Sequence, residues 1–235
     1  MCDNAKSQRC KICNSSELAV FAHTATCRNC GVLLCYPYPK SDTEVHRCGA
    51  GKDNGGDAKQ RNNVRLQWHL KSGALNHHNF TNMSLFALSD ADRPREMNIL
   101  DYGGGGGQFA LVMKSLFPLS EVYIVDIRDA TLLDQYRPLN RQIEFDNFLS
   151  DATRFDVIFM NDVLEHVSDP LGVLNTLRRK LVDADSRIFV DTPCQFWLYP
   201  ITKRLNKQLY TKVLRGTVDY DHQQIWSKSS FAYVA

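Results

Sequence analysis

Two Cys-x-x-Cys pairs, Cys10-Lys11-Ile12-Cys13 and Cys27-Arg28-Asn29-Cys30, stand thirteen residues apart near the start of this chain. Each pair puts two thiolates on one side of a tight turn, and two such turns complete a tetrahedron around zinc. Gly31, just after the second pair, suits the turn. Five of the eight cysteines fall between Cys10 and Cys35, a clustering that unrelated reduced thiols would not show. A redox pair would come singly and inside a βαβ pattern. Four protein ligands leave no open position, so the expected role of Zn2+ is structural. A segment this small has almost no core, so the metal would supply much of its folding energy. Cys35 reads as a buried bystander.

A second chemistry is written in Asp101-Tyr102-Gly103-Gly104-Gly105-Gly106-Gly107-Gln108-Phe109. Glycines between a strand and a helix let the backbone turn tightly and approach a ligand where a Cβ would clash. The next strand ends at Asp126, whose carboxylate can accept hydrogen bonds from ribose hydroxyls. A nucleoside-type cofactor across the two strand ends fits this layout, and a purely structural turn is the bland alternative. The dinucleotide fingerprint Gly-x-Gly-x-x-Gly is met poorly: counted from Gly103 its last position is Gln108, from Gly104 it is Phe109, and from Gly105 it is Ala110, which only the looser form tolerates. The loop therefore disfavours NAD.

Near the C-terminal end, Tyr220-Asp221-His222 places a phenol, a carboxylate and an imidazole side by side. Imidazole titrates near neutrality and a carboxylate can orient it, so the trio can do acid–base work. A surface turn with a chance histidine is the competing reading.

The elements that must hold these groups follow from the apolar pattern. Met97–Tyr102, Glu121–Asp126, Phe155–Met160 and Arg187–Asp191 read as strands, and Phe109–Phe117 and Pro170–Val182 as helices. Leu171, Leu174, Leu177 and Leu181 form the stripe of the second helix; Ser168 or Asp169 can cap it and Arg178-Arg179-Lys180 complement its C-terminal dipole. Strands alternating with helices predict an α/β fold with a doubly wound, Rossmann-like, mostly parallel sheet. Three regions are expected: a four-cysteine zinc ribbon over 1–45, a connector over 46–94 with a mobile Gly- and Asp-rich loop at 47–57 and helices over 64–88, and the α/β domain over 95–235. Asn161 and Asp162 follow a strand end, where open α/β sheets bind ligands. Either residue can instead cap the turn, and Glu165 and His166 can be structural.

These residues resemble a known family. Ile99–Gly107 looks like the first motif of class I S-adenosylmethionine-dependent methyltransferases, Asp126 like the acidic second motif, and Phe155–Pro170, with its Phe-Asp and Leu-Glu-His segments, like the fourth-strand region. The resemblance spans roughly 95–230. It implies that Asp101 and the backbone at Gly103, Gly104, Gly105 and Gly107 lie along the methionine part of the cofactor, that Asp126 with Ile127 beside it holds the ribose, that Asp146–Phe148 flanks the adenine, and that Asn161 and His166 complete the cofactor site. An N-terminal four-cysteine ribbon, then this domain, then an acid–His pair before Trp226-Ser227 is similar to the sugar C-methyltransferases. That likeness implies His222 as the base that takes a proton beside a keto group, Asp221 as its partner and Tyr220 as a positioning hydroxyl, although the family carries Glu where Asp221 stands. It also implies a continuation beyond Ala235, so the domain over 95–235 is expected to lack its C-terminal strands; either the chain is a truncated product, or a partner or second copy completes the sheet.

Composition sets the remaining expectations. With 43% hydrophobic residues a core can be buried. No apolar run approaches the roughly 18 residues of a membrane helix, and the polar start, Met1–Arg9, lacks the apolar stretch of a signal peptide, so a cytoplasmic protein without a membrane partner is expected. Residues 1–45 hold five Lys or Arg against four Asp or Glu, a poor footprint for a phosphate backbone. A small-molecule acceptor, a sugar nucleotide or related metabolite, is the leading expectation. The alternatives are an RNA methyltransferase that docks RNA through the ribbon, and a non-catalytic binding protein that keeps the fold.

Overall fold

The computed structural model describes residues 8–21, 24–36, 38, 76–127, 141–194, 204 and 222–234. The expected loop at 47–57, the connector up to residue 75, and Tyr220 and Asp221 lie outside the described residues. In chain order the elements are β1 (Leu18–Phe21), β2 (Thr24–Cys27), β3 (Leu33–Cys35), α1 (Asn76–Ala87), β4 (Asn98–Tyr102), α2 (Gln108–Leu116), β5 (Glu121–Asp126), β6 (Arg141–Glu144), β7 (Val157–Asn161), α3 (Pro170–Arg179), β8 (Arg187–Asp191), β9 (Gln224–Ile225) and α4 (Lys228–Phe231). They fall into two compact units. One comprises Met1–Asn54, Asp162–Asn175 and Thr192–Ala235, the other Gly55–Asn161 and Thr176–Asp191.

The first unit holds a four-stranded antiparallel sheet in the order β1-β2-β3-β9. Its last strand comes from the far end of the chain: Leu33 faces Ile225 and Leu34 faces Gln224. Short apolar stretches interrupted by polar residues suffice here, because Leu33, Cys35 and Ile225 bury one small cluster against Phe21.

The second unit carries a five-stranded, wholly parallel sheet in the order β6-β5-β4-β7-β8. Strand order runs outward in both directions from β4, which leaves a topological switch point between β4 and β7, the place where ligands bind in open α/β sheets. The central strands are apolar on both faces, as parallel strands covered on both sides must be. Ile99, Phe109, Met113, Phe117, Val122, Ile124, Val157 and Phe159 belong to one buried cluster. Phe159 sits between the rings of Phe109 and Phe189, with centroids 4.9 and 5.5 Å away. Helix α1 packs by Phe80 edge-on to Phe109, centroids 5.4 Å apart.

Two boundaries differ from the sequence reading by more than one residue, the start of β7 and the end of α3. β7 starts at Val157 and runs through Asn161, so Asn161 is the last strand residue rather than the first loop residue. α3 stops at Arg179 rather than Val182, because Leu181 leaves the helix to form a parallel bridge with Phe155. Among the described residues no helix is long and apolar enough to cross a membrane.

Candidate functional site

The glycine loop stands where β4 and α2 meet. Gly103, Gly105 and Gly107 take left-handed conformations, with φ of +81°, +53° and +81°. At Gly104 the constraint is space: a Cβ would lie 2.6 Å from Asp101 Oδ2 and 2.8 Å from Ile124 Cγ2. At Gly105 it is conformation, since nothing lies within 4 Å of a Cβ there. The Gly105 N–H donates to Asp126 Oδ2 at 3.0 Å. The loop and the carboxylate at the end of β5 are thus in direct contact.

Three polar atoms beside this loop are buried without a hydrogen-bond partner among the described residues: Asp101 Oδ2 and both side-chain atoms of Asn161. Asp101 pairs with Phe159 across β4 and β7, so Gly103 and Asn161, each two residues on, emerge at the same level of the switch point. Buried polar atoms are nearly always satisfied, and orphaned ones at a strand end point to a missing ligand. Asp162, next in the chain, has a left-handed φ of +51°. Ile127 and Asp146 are exposed, Asp146 on the single turn that follows β6. His166 lies in the other unit.

Burial pushes the Asp101 carboxyl up to about 7 from 3.8, and the charge of Asp126 adds to the rise against the Ala110 N–H. Burial, then Asp126, also pushes the Tyr102 phenol up to about 12. An acid whose pKa is raised by folding binds its proton more tightly in the native state, so stability falls as pH rises from about 4 to about 7 and stays low above. Asp101→Asn removes that penalty. We expect its melting temperature to exceed that of the parent at pH 8 and the difference to shrink towards pH 4; thermal melts across that range check it, and an equal difference at every pH would refute it.

In the first unit the four cysteines converge. The Sγ atoms of Cys10, Cys13, Cys27 and Cys30 all lie within 4.8 Å of one another, with Cys10–Cys30 at 3.6 Å and Cys13–Cys27 at 3.5 Å. Tetrahedral thiolates about 2.3 Å from zinc would stand about 3.8 Å apart. The two knuckles repeat one backbone design. Asn14 N–H donates to the Cys10 carbonyl at 2.9 Å and Gly31 N–H to the Cys27 carbonyl at 3.0 Å. Both Asn14 and Gly31, each following a second cysteine, have positive φ.

A cluster of Glu165, His166 and His222 forms in the same unit. The imidazole centroids of His166 and His222 are 4.8 Å apart. Glu165 is 1% exposed, its Oε2 accepts from the Thr192 hydroxyl at 2.9 Å, and burial pushes its pKa up. Gln223 holds the turn: its N–H donates to the Glu165 carbonyl at 2.7 Å and its Nε2 to the His166 carbonyl at 2.9 Å. Gln224 Nε2 donates to the carbonyls of Leu164 and Val167. The same two glutamines tie this turn to the cysteine sheet: Cys35 N–H donates to the Gln223 carbonyl at 2.8 Å, Lys11 Nζ to Gln223 Oε1 at 3.0 Å, and Gln224 pairs with Leu34. Sequence reasoning missed Gln223 and Gln224. Their signal is weak, because their role arises only from partners distant in the sequence, at residues 164–167 and on β3.

A family model described as a methyltransferase domain matches residues 75–234. Several solved structures share the fold at low identity. The YcgJ protein from Bacillus subtilis is 19% identical, with a TM-score of 0.50; the match covers 67% of this chain and 66% of that one. The plantazolicin methyltransferase BpumL, in complex with a monoazolic desmethylPZN analog and SAH, is 14% identical over 82% of this chain and 72% of its own, with a TM-score of 0.54. An O-methyltransferase family 2 protein from Planctomyces limnophilus, complexed with apigenin, is 15% identical over 77% and 55%, with a TM-score of 0.51. The chain thus spans just under two thirds of the length of the first of these. A comparison with curated proteins gives no match.

Proposed function

We propose that this chain, which belongs to the methyltransferase-domain family, is an enzyme that transfers a methyl group from S-adenosylmethionine to a small-molecule acceptor. The observation that carries the reading is the hydrogen bond from Gly105 to Asp126 across the ends of β4 and β5, beside orphaned buried atoms of Asp101 and Asn161. Asp126 would accept from the ribose hydroxyls, and the Gly103–Gly107 backbone would lie along the methionine portion. The unsatisfied Asp101 oxygen suits a cationic amine, whose charge would offset the desolvation that raises the pKa of that carboxyl. The bound cofactor supplies an electrophilic methyl group on a sulfonium sulfur. The chain's own part is to align an acceptor and, where the nucleophile is a weak acid, to take its proton.

His222 is our choice for that base, by resemblance to the sugar C-methyltransferases, with a keto-sugar nucleotide as the acceptor class. Its half-buried position next to His166 and Glu165 supports the assignment. Zn2+ on Cys10, Cys13, Cys27 and Cys30 would be structural, as the sulfur spacings suit. The near balance of charge over 1–45 favours a small acceptor over a nucleic acid. Titration calorimetry of zinc-replete protein should give saturable binding of S-adenosylmethionine and S-adenosylhomocysteine and none of NAD. Binding of NAD alone would overturn the reading.

A further inference from the structure

We propose that Glu165, His166 and His222 form a second metal site, separate from the four cysteines, that takes a divalent transition ion. Three ligand atoms, one from each residue, lie within 4.8 Å of one another. Glu165 Oε1 and His166 Nε2 are 3.9 Å apart, too far for a hydrogen bond but within the span of two donors that share an ion at about 2.0–2.2 Å each. The carboxylate is built for a cation. It is 1% exposed, and Oε1, the oxygen facing His166, has no hydrogen-bond partner among the described residues. A buried carboxylate oxygen in that state is costly unless a positive charge meets it.

The groups behind the ligands fit the same purpose. Thr192 Oγ1 donates to Oε2 of Glu165 at 2.9 Å and so orients the carboxylate. Gln223 fixes the backbone carbonyls of both Glu165 and His166, and His222 precedes it in the chain. Outer contacts of this kind normally accompany metal ligands. Two imidazoles and one carboxylate select zinc, cobalt, iron or manganese over magnesium and calcium, which prefer all-oxygen shells. Three protein ligands leave positions open, and both imidazoles are half-exposed, so an exchangeable water or an acceptor oxygen can complete the sphere. This inference does not rest on the methyl-transfer reading. It does constrain it: an ion bound through the His222 lone pair withdraws that imidazole from proton abstraction.

The test titrates Co2+ into full-length, tag-free protein whose cysteine site already holds one equivalent of zinc. One further equivalent should bind and give visible d–d bands without a near-ultraviolet thiolate charge-transfer band. Thr192→Val should weaken that binding by about 10–100-fold, and Glu165→Gln and His222→Ala should abolish it. Circular dichroism confirms that each variant is folded; if Glu165→Gln is not, the half-exposed His222 and His166 substitutions decide. Absence of a second equivalent, a thiolate band from the added cobalt, or unchanged binding in His222→Ala would each overturn the proposal. Calorimetry with S-adenosylhomocysteine on the same samples reports separately on the methyl-transfer reading.

Discussion

Asp126→Ala should raise the dissociation constant for S-adenosylhomocysteine at least about a hundredfold. The carboxylate ends β5 at the level of the glycine loop and already accepts the Gly105 N–H at 3.0 Å. Two further hydrogen bonds to ribose hydroxyls, each charge-assisted and worth roughly 1.5–3 kcal/mol, would be lost with it, and each 1.4 kcal/mol is about a tenfold change. The substitution also removes the acceptor that positions the loop, so part of the loss reflects a cradle no longer held in its binding shape. Asp126→Asn keeps an acceptor for Gly105 and should fall between the two. Calorimetry measures all three, with thermal melts to confirm folding. An alanine variant that binds within a factor of roughly three of the parent would remove Asp126 from the cofactor site.

His222→Ala should behave in the opposite way. In protein that carries zinc on its cysteines alone, with the Glu165–His166–His222 cluster metal-free, turnover with a keto-sugar nucleotide, followed as S-adenosylhomocysteine release, is expected to fall by about 10²–10⁴, the usual range for a general base, while cofactor affinity stays near that of the parent. A structural role could also lower turnover, so two further readouts are needed. The pH dependence of the rate should change, and added imidazole should restore part of the rate. Retained turnover with an unchanged pH profile would show that another group takes the proton.

Much of the second unit was legible because its signals are local. A buried strand, a glycine run, a helix with apolar residues at regular spacing and a strand ending in an acid are each contained within about ten residues. The cysteine knuckles were legible for the same reason: their spacing sets their turn geometry, down to the glycine after Cys30. β6 was not, because Arg141–Glu144 offers a single buried apolar residue, Ile143, on an edge strand. β9 was not, because Gln224 and Ile225 form a strand only through partners at the other end of the chain. Glu165 and His166 were seen as motif residues, but their meeting with His222 depends on that same pairing, which no local pattern encodes.

The pairing of β3 with β9 also bears on how this protein can be cut. A plan that treats the cysteine-bearing front as a detachable accessory would delete the partner strand of Gln224 and Ile225 and the lysine and amide that hold Gln223. The turn carrying Glu165 and His166 would then lose the anchor of its own clamp. A truncated enzyme that no longer works would therefore say little about whether the front touches substrate. Substitutions on the exposed outer strand, at Val20 for instance, are the cleaner way to ask that question.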